Sequence, residues 1–128
     1  MIKKKRGDFG EIAVCDYLVK RGCTIAERNY RKRSGEIDII AISGCGNEVV
    51  FVEVKTRKFG GLTEGVDAVN NEKRRRIVKT ARAFLVDNPQ FYNMNSRFDV
   101  AGVVITTDET PSVLEIEYYE DAFNPALL

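Results

Sequence analysis

Two apolar-rich runs, Glu36 to Ile42 and Val49 to Lys55, flank the turn-prone pentapeptide Ser-Gly-Cys-Gly-Asn. Runs of this composition, joined by a short Gly- and Asn-containing connection, read as a β-hairpin. Side chains alternate along a strand. Glu36, Asp38, Ile40 and Ile42 therefore share one face, as do Val49, Phe51, Glu53 and Lys55 on the partner. With the turn centred between Cys45 and Gly46, Ile42 meets Val49, Ile40 meets Phe51, Asp38 meets Glu53 and Glu36 meets Lys55. The first two pairs are sound apolar contacts, which supports the register.

The third pair is different in kind. Two carboxylates directly opposed repel each other, and a shared proton or a bound cation has to offset that repulsion. Oxygen donors suit Mg²⁺, with Mn²⁺ as an alternative, so Asp38 and Glu53 are the candidate metal ligands. Lys55 lies two residues beyond Glu53 on the same face. Together these residues have the parts for metal-assisted phosphodiester hydrolysis, the lysine orienting the nucleophile or stabilising the developing charge. A Glu-x-Lys on a strand is by itself more often an exposed ion pair. Here the same face carries Ile40 and Phe51, so it is not simply a wet face. Glu11 is a further candidate. Val14, Cys15 and Leu18 follow it at helical spacing and point it inward, while the N-terminal helix dipole would equally favour a carboxylate there.

The chain has no histidine, which removes Ser-His-Asp and Cys-His catalysis and His-ligated zinc. Cys15, Cys23 and Cys45 are odd in number and lack paired spacing, so free thiols are expected: two core fillers, and Cys45 in the hairpin turn. The 128 residues suffice for one core, and a single domain over 1–128 is expected. Apolar runs fall far short of the roughly 20 residues of a membrane span. Lys3 to Arg6 are not followed by a signal-peptide core, so a cytoplasmic protein without a membrane partner is expected.

Periodicity predicts a helix over Asp8 to Arg21, a strand over Cys23 to Asn29, a basic loop from Tyr30 to Gly35, and then the hairpin. After a loop over Arg57 to Gly65, Ile77, Val78, Ala81, Phe84 and Leu85 form one apolar stripe, predicting a helix over Asn71 to Asp87. Asn70 or Asn71 can cap it, and Asn88-Pro89 can end it. Strands over Arg97 to Ile105 and Val113 to Tyr118 follow. The order αβββαββ fits an α/β sandwich, one mixed sheet with a helix on each side.

Residues 1–82 hold 19 Lys and Arg against 11 Asp and Glu, a net +8; residues 83–128 carry −7. The basic portion suits an anionic partner, although two halves neutralising each other would look the same. Four basic clusters could meet phosphates: Lys3 to Arg6, Arg28 to Arg33, Lys55 to Lys58 and Lys73 to Arg76. Arg75, Lys79 and Arg82 form one ridge on the second helix, opposite its apolar stripe. The expected nucleic-acid contacts are Arg31, Arg33, Arg57, Lys73, Arg75, Lys79 and Arg82. Tyr30 can stack on a base or anchor its loop. Arg97 and Asp99 read as a structural ion pair.

Gly7-x-x-Gly10-Glu11, Arg28-Asn29-Tyr30-Arg31, Gly35-Glu36-Ile37-Asp38, Phe51-Val52-Glu53-Val54-Lys55-x-Arg57, Lys73 and Arg97-Phe98-Asp99 occur in that order over most of the chain. Together they resemble the YraN family of small, largely uncharacterised bacterial proteins. That family is similar to the PD-(D/E)XK, or restriction-endonuclease-like, superfamily and to archaeal Holliday-junction resolvases. The resemblance implies a restriction-endonuclease-like three-layer sandwich. It makes Asp38 the first acid of the motif, Glu53 the second, Lys55 its lysine, and Glu11 the N-terminal-helix acid of the resolvase-like branch. The expected activity is a Mg²⁺-dependent endonuclease on DNA, with branched or junction structures as preferred substrates and a homodimer left open. The alternatives are a catalytically weak nucleic-acid-binding accessory protein with the same fold, and a protein-interaction domain that docks through its acidic C-terminal segment.

Overall fold

The computed structural model describes residues 3–60 and 70–128, with the backbone alone over 3–7. Helix α1 (Lys3–Lys20) is followed by strands β1 (Thr24–Lys32), β2 (Gly35–Ile42) and β3 (Glu48–Lys58). Helix α2 (Asn71–Asp87) then leads to β4 (Asn95–Ile105) and β5 (Val113–Tyr119). The strands form one mixed sheet in the order β1-β2-β3-β4-β5. Neighbours are antiparallel except β3 and β4, which run parallel with α2 in the connection between them. A parallel pair cannot be closed by a tight turn, and this one is not.

Each face of the sheet packs on one helix. Ile77, Val78, Ala81 and Phe84 of α2 close over Ile37, Ile40, Val49, Phe51 and Phe98, with Phe123 at the margin. Val14 and Leu18 of α1 close over Ile39, Ala41, Val50, Val52, Ala101, Val103 and Ile105. The central strands are thus buried on both sides, which is why β2 and β3 read as almost continuous apolar runs. Each large apolar side chain so buried contributes roughly 1.5–3 kcal/mol.

The second helix spans the predicted residues. The Asn70 side chain accepts from the Lys73 amide at its start, and Asn88 stands at its end before Pro89. Cys15 and Cys23 pack against the α1-side core and Cys45 is exposed in the turn, all three as free thiols. The predicted basic loop from Tyr30 to Gly35 is instead mostly strand. Backbone pairing with β2 carries β1 through Lys32, and Arg33-Ser34 makes the turn. This end of the hairpin is pinned to α2: Ser34 and Thr80 hydroxyls lie 2.7 Å apart. Gly35, at φ 153°, leaves no more than van der Waals space beside Thr80 and Arg76. Other expectations shift at their ends: α1 runs from Lys3 to Lys20, β1 begins at Thr24, β3 continues through Lys58, β4 begins at Asn95 and β5 ends at Tyr119. Of the loop expected over Arg57 to Gly65, residues 61–65 lie outside the described residues.

Candidate active site

The hairpin register is as the apolar pairs predict, with Ile42 opposite Val49, Ile40 opposite Phe51 and Ile39 opposite Val52. The ladder ends there. Asp38 and Glu53 do not meet as a cross-strand pair. Instead the Asp38 carboxylate enters the gap and accepts from the Val54 amide at 2.7 Å, replacing a backbone bond that the diverging strands no longer make. The expected Glu36–Lys55 pair is likewise absent: Glu36 binds Arg31 at 3.2 Å, and Lys55 lies 3.5 Å from Glu53. Paired carboxylates at the split would repel, and divergence there is the physical response.

Asp38 and Glu53 nevertheless line one groove of about 360 Å³, with Gly35, Glu36, Asn70, Glu72, Lys73, Arg76 and Ile77. Its floor is the split end of the sheet and its wall is the first turns of α2. Glu53 is buried, and its Oε1 lies 2.8 Å from Lys73 Nζ, closer than to Lys55. Burial, then the charge of Glu53, pushes the Asp38 carboxyl up to about 8, against the help of the Val54 amide. Burial and the adjacent Lys73 lower Lys55. Lys73 is held up despite its burial by the bond to Glu53 and by neighbouring acids.

Glu11 approaches from the other layer. It is buried on α1, its Oε1 has no hydrogen-bond partner, and Arg28 Nη2 stands 3.5 Å away. Burial raises its carboxyl, and its charge in turn raises Asp38, but it does not line the groove. Gly10 sets this approach. A Cβ there would sit 1.9 Å from Thr56 Oγ1, so glycine lets α1 lie directly on β3.

The basic residues separate into three settings. Arg75, Lys79 and Arg82 are exposed on the outer side of α2 and form no ion pair among the described residues. Arg31 and Arg57 are engaged with Glu36 and Glu117, each at 3.2 Å, and Arg33 is exposed in the β1–β2 turn. The side chains of Lys3 to Arg6 lie outside the described residues. Tyr30 is an anchor: its hydroxyl donates to Asp87 and its ring meets Phe84 edge-on. Arg97 and Asp99 form the structural pair expected, at 3.0 Å.

Residues 10–103 match a family described as "Uncharacterised protein family UPF0102". This chain belongs to UPF0102. A UPF0102 protein of Trichlorobacter lovleyi is 41% identical over 124 residues, covering 94% of this chain and 91% of that one. A UPF0102 protein of Treponema denticola is 38% identical, covering 91% and 93%. Among solved structures, a repair endonuclease from Pyrococcus abyssi matches 83% of this chain and 38% of its own length, at 14% identity and a TM-score of 0.35. SfsA of Pyrococcus furiosus, solved with Ca²⁺, matches 91% and 63%, at 15% identity and a TM-score of 0.39. Likenesses at that level decide nothing about function.

In this UPF0102 chain, Lys73 joins the acids rather than the basic ridge, from which it is separated by about half a turn of helix around the axis. A signal for this existed. Lys73 precedes Ile77, Ala81 and Phe84 by 4, 8 and 11 residues and so continues the buried stripe. Among the described residues no three acids or cysteines converge as ligands, so a metal here would rest on two carboxylates, water and substrate oxygen. The donor set fits that role, since two carboxylates line one groove and Asp38 accepts only a neutral backbone amide among the described residues. No helix among the described residues is long and apolar enough to cross a membrane.

Proposed function

We propose that this chain is a Mg²⁺-dependent endonuclease acting on DNA, with a preference for branched or otherwise non-duplex structures. The observation that carries the reading is the meeting of Asp38, Glu53, Lys55 and Lys73 at the open end of the β2–β3 hairpin. Asp38 and Glu53 would hold the ion, which when bound neutralises phosphate charge and acidifies water. Lys55, rigid on its strand and half-buried, presents a donor to the non-bridging phosphate oxygens where charge develops. The Val54 amide fixes the orientation of the Asp38 carboxylate. Exposed Arg75, Lys79, Arg82 and Arg33 would supply phosphate contacts without base readout, consistent with selection by structure rather than sequence.

A second reading is favoured by one contact. Lys73 already neutralises Glu53 at 2.8 Å, and a site satisfied by its own lysines suits a nucleic-acid-binding accessory protein with little catalysis. Purified protein, assayed on duplex, single-stranded and four-way-junction DNA with Mg²⁺ or Mn²⁺, separates the two. Cleavage that Asp38→Asn abolishes supports the enzyme. Binding without cleavage of any substrate supports the accessory protein.

A further inference from the structure

Lys73 occupies the third position of α2, in the turn where the helix's positive end favours an acid over a base. Its backbone amide is tied to the Asn70 side chain at 2.9 Å, which fixes where the side chain starts. That side chain turns inward to Glu53 Oε1, the same oxygen that Lys55 approaches at 3.5 Å. Two ammonium groups on one carboxylate oxygen exceed what Glu53 alone requires. The second lysine balances Asp38, which receives only a neutral amide among the described residues. Lys73 is thus both misplaced for its helix and placed where a cation between the two acids is needed.

We infer that Lys73 is a resident counter-ion: it holds Glu53 while no divalent cation is bound, and releases it when one arrives. This rests on the reading of Asp38 and Glu53 as metal ligands and adds a competition to it. With both acids ionised, as ligation of a dication requires, the two acids and two lysines make a neutral cluster. Adding a dication leaves an excess of two positive charges, which a phosphodiester would help to neutralise. A Lys73 freed from Glu53, still partly exposed beside the groove, is within the wall that such a phosphate would meet. The device makes the empty protein stable without metal and links loading of the metal to arrival of the anion.

The test is calorimetric titration of Mn²⁺ into the full chain without nucleic acid. Lys73→Met should tighten Mn²⁺ about tenfold or more, one competing ion pair having been removed. Lys73→Gln should tighten it similarly, because the charge and not the donor is the competitor. Lys73→Arg should stay close to wild type, and Lys79→Met, on the outer face of α2, should change little. In metal-free buffer, Lys73→Met should melt below wild type, with Mn²⁺ restoring the difference. A Lys73→Met protein that is folded and binds Mn²⁺ no more tightly than wild type overturns the competition while leaving the metal site standing. If wild type and both neutral variants are folded yet none takes up Mn²⁺, the metal reading itself fails, and the inference with it.

Discussion

Two charged clusters flank the middle of β3, on opposite faces of the sheet, and they are built on different principles. On the α1 side, the Asp99 carboxylate receives the Arg97 guanidinium, the Tyr118 hydroxyl and the Asp121 amide, while Arg97 also reaches Glu48 at 3.0 Å. One guanidinium serves two carboxylates, and a hydroxyl and an amide complete the donors around Asp99. On the α2 side, Asp38 and Glu53 share a groove, burial and the charge of Glu53 raise the Asp38 carboxyl, and lysines crowd one oxygen. The first cluster is complete without any ligand. In the second, Asp38 accepts only a neutral amide while both lysines gather on Glu53, the pattern that marks a candidate reactive site rather than a structural network.

The largest expected effect lies in the complete cluster. Asp99→Ala leaves the half-buried Arg97 and Tyr118 without their shared, buried acceptor and should cost about 3 kcal/mol in denaturant melts. Asp38→Asn in metal-free buffer should cost little, or stabilise, because it removes a repelling charge. Equal losses at the two sites would erase the contrast.

Catalysis should respond in the reverse sense. Lys55→Ala should depress cleavage by about 10²-fold or more, the scale of one preorganised donor, with DNA affinity nearly unchanged. Arg97→Lys should lower stability while leaving the rate of the folded fraction intact. Wild-type cleavage that survives Lys55→Ala would put the active site elsewhere.

A smaller effect is the dependence of stability on pH. Asp38 stands at about 8 when folded against an ordinary 3.8, so the folded chain holds a proton that the unfolded chain has lost. Its contribution is complete below about pH 4 and disappears as pH rises through 8. Between pH 5 and 8, with a chelator present, melting temperature should fall, the unfolding free energy dropping by at most about 1.4 kcal/mol per pH unit for one proton. Asp38→Asn or millimolar Mg²⁺ should flatten that slope. A wild-type profile identical to that of Asp38→Asn would contradict the buried repulsion.

The smallest change in the fold, with an effect confined to binding, is expected from replacing Arg75, Lys79 and Arg82 together by alanine. If all three meet phosphates, the slope of log affinity against log salt should shrink by about 2 to 3. An unchanged slope would move the interface to Arg33 and the groove rim.

Much of this was legible in the sequence. The hairpin register followed from Ile42 opposite Val49 and Ile40 opposite Phe51, because apolar pairs must share a face. The limits of α2 followed from Asn70 and Asn88-Pro89, whose chemistry is local. The split of β2 from β3 was not legible, since alternation fixes faces but not where a ladder stops. Nor was the positive φ of 53° at Asn29, or the run of β1 on into the basic segment. Lys73 was grouped with its basic neighbours because four cations in succession read as a surface run, although its spacing to the buried stripe points inward.

The gap between β2 and β3 also has a mechanical meaning. Paired backbone joins β2 to β3 only up to Ile39 and Val52; beyond that point each arm is held by its other neighbour, β2 by β1 to Gly35 and β3 by β4 to Lys58, so the two part like the jaws of a clamp. One jaw carries Asp38 and is fastened to α2 through Ser34 and Thr80; the other carries Glu53 and Lys55 and runs beneath α1 at Gly10. The spacing of the two acids is therefore an angle between two fastened levers, and the Asp38–Val54 bond is the catch that holds it. Packing behind the groove, at the Ser34–Thr80 contact or under Gly10, thereby sets the bite.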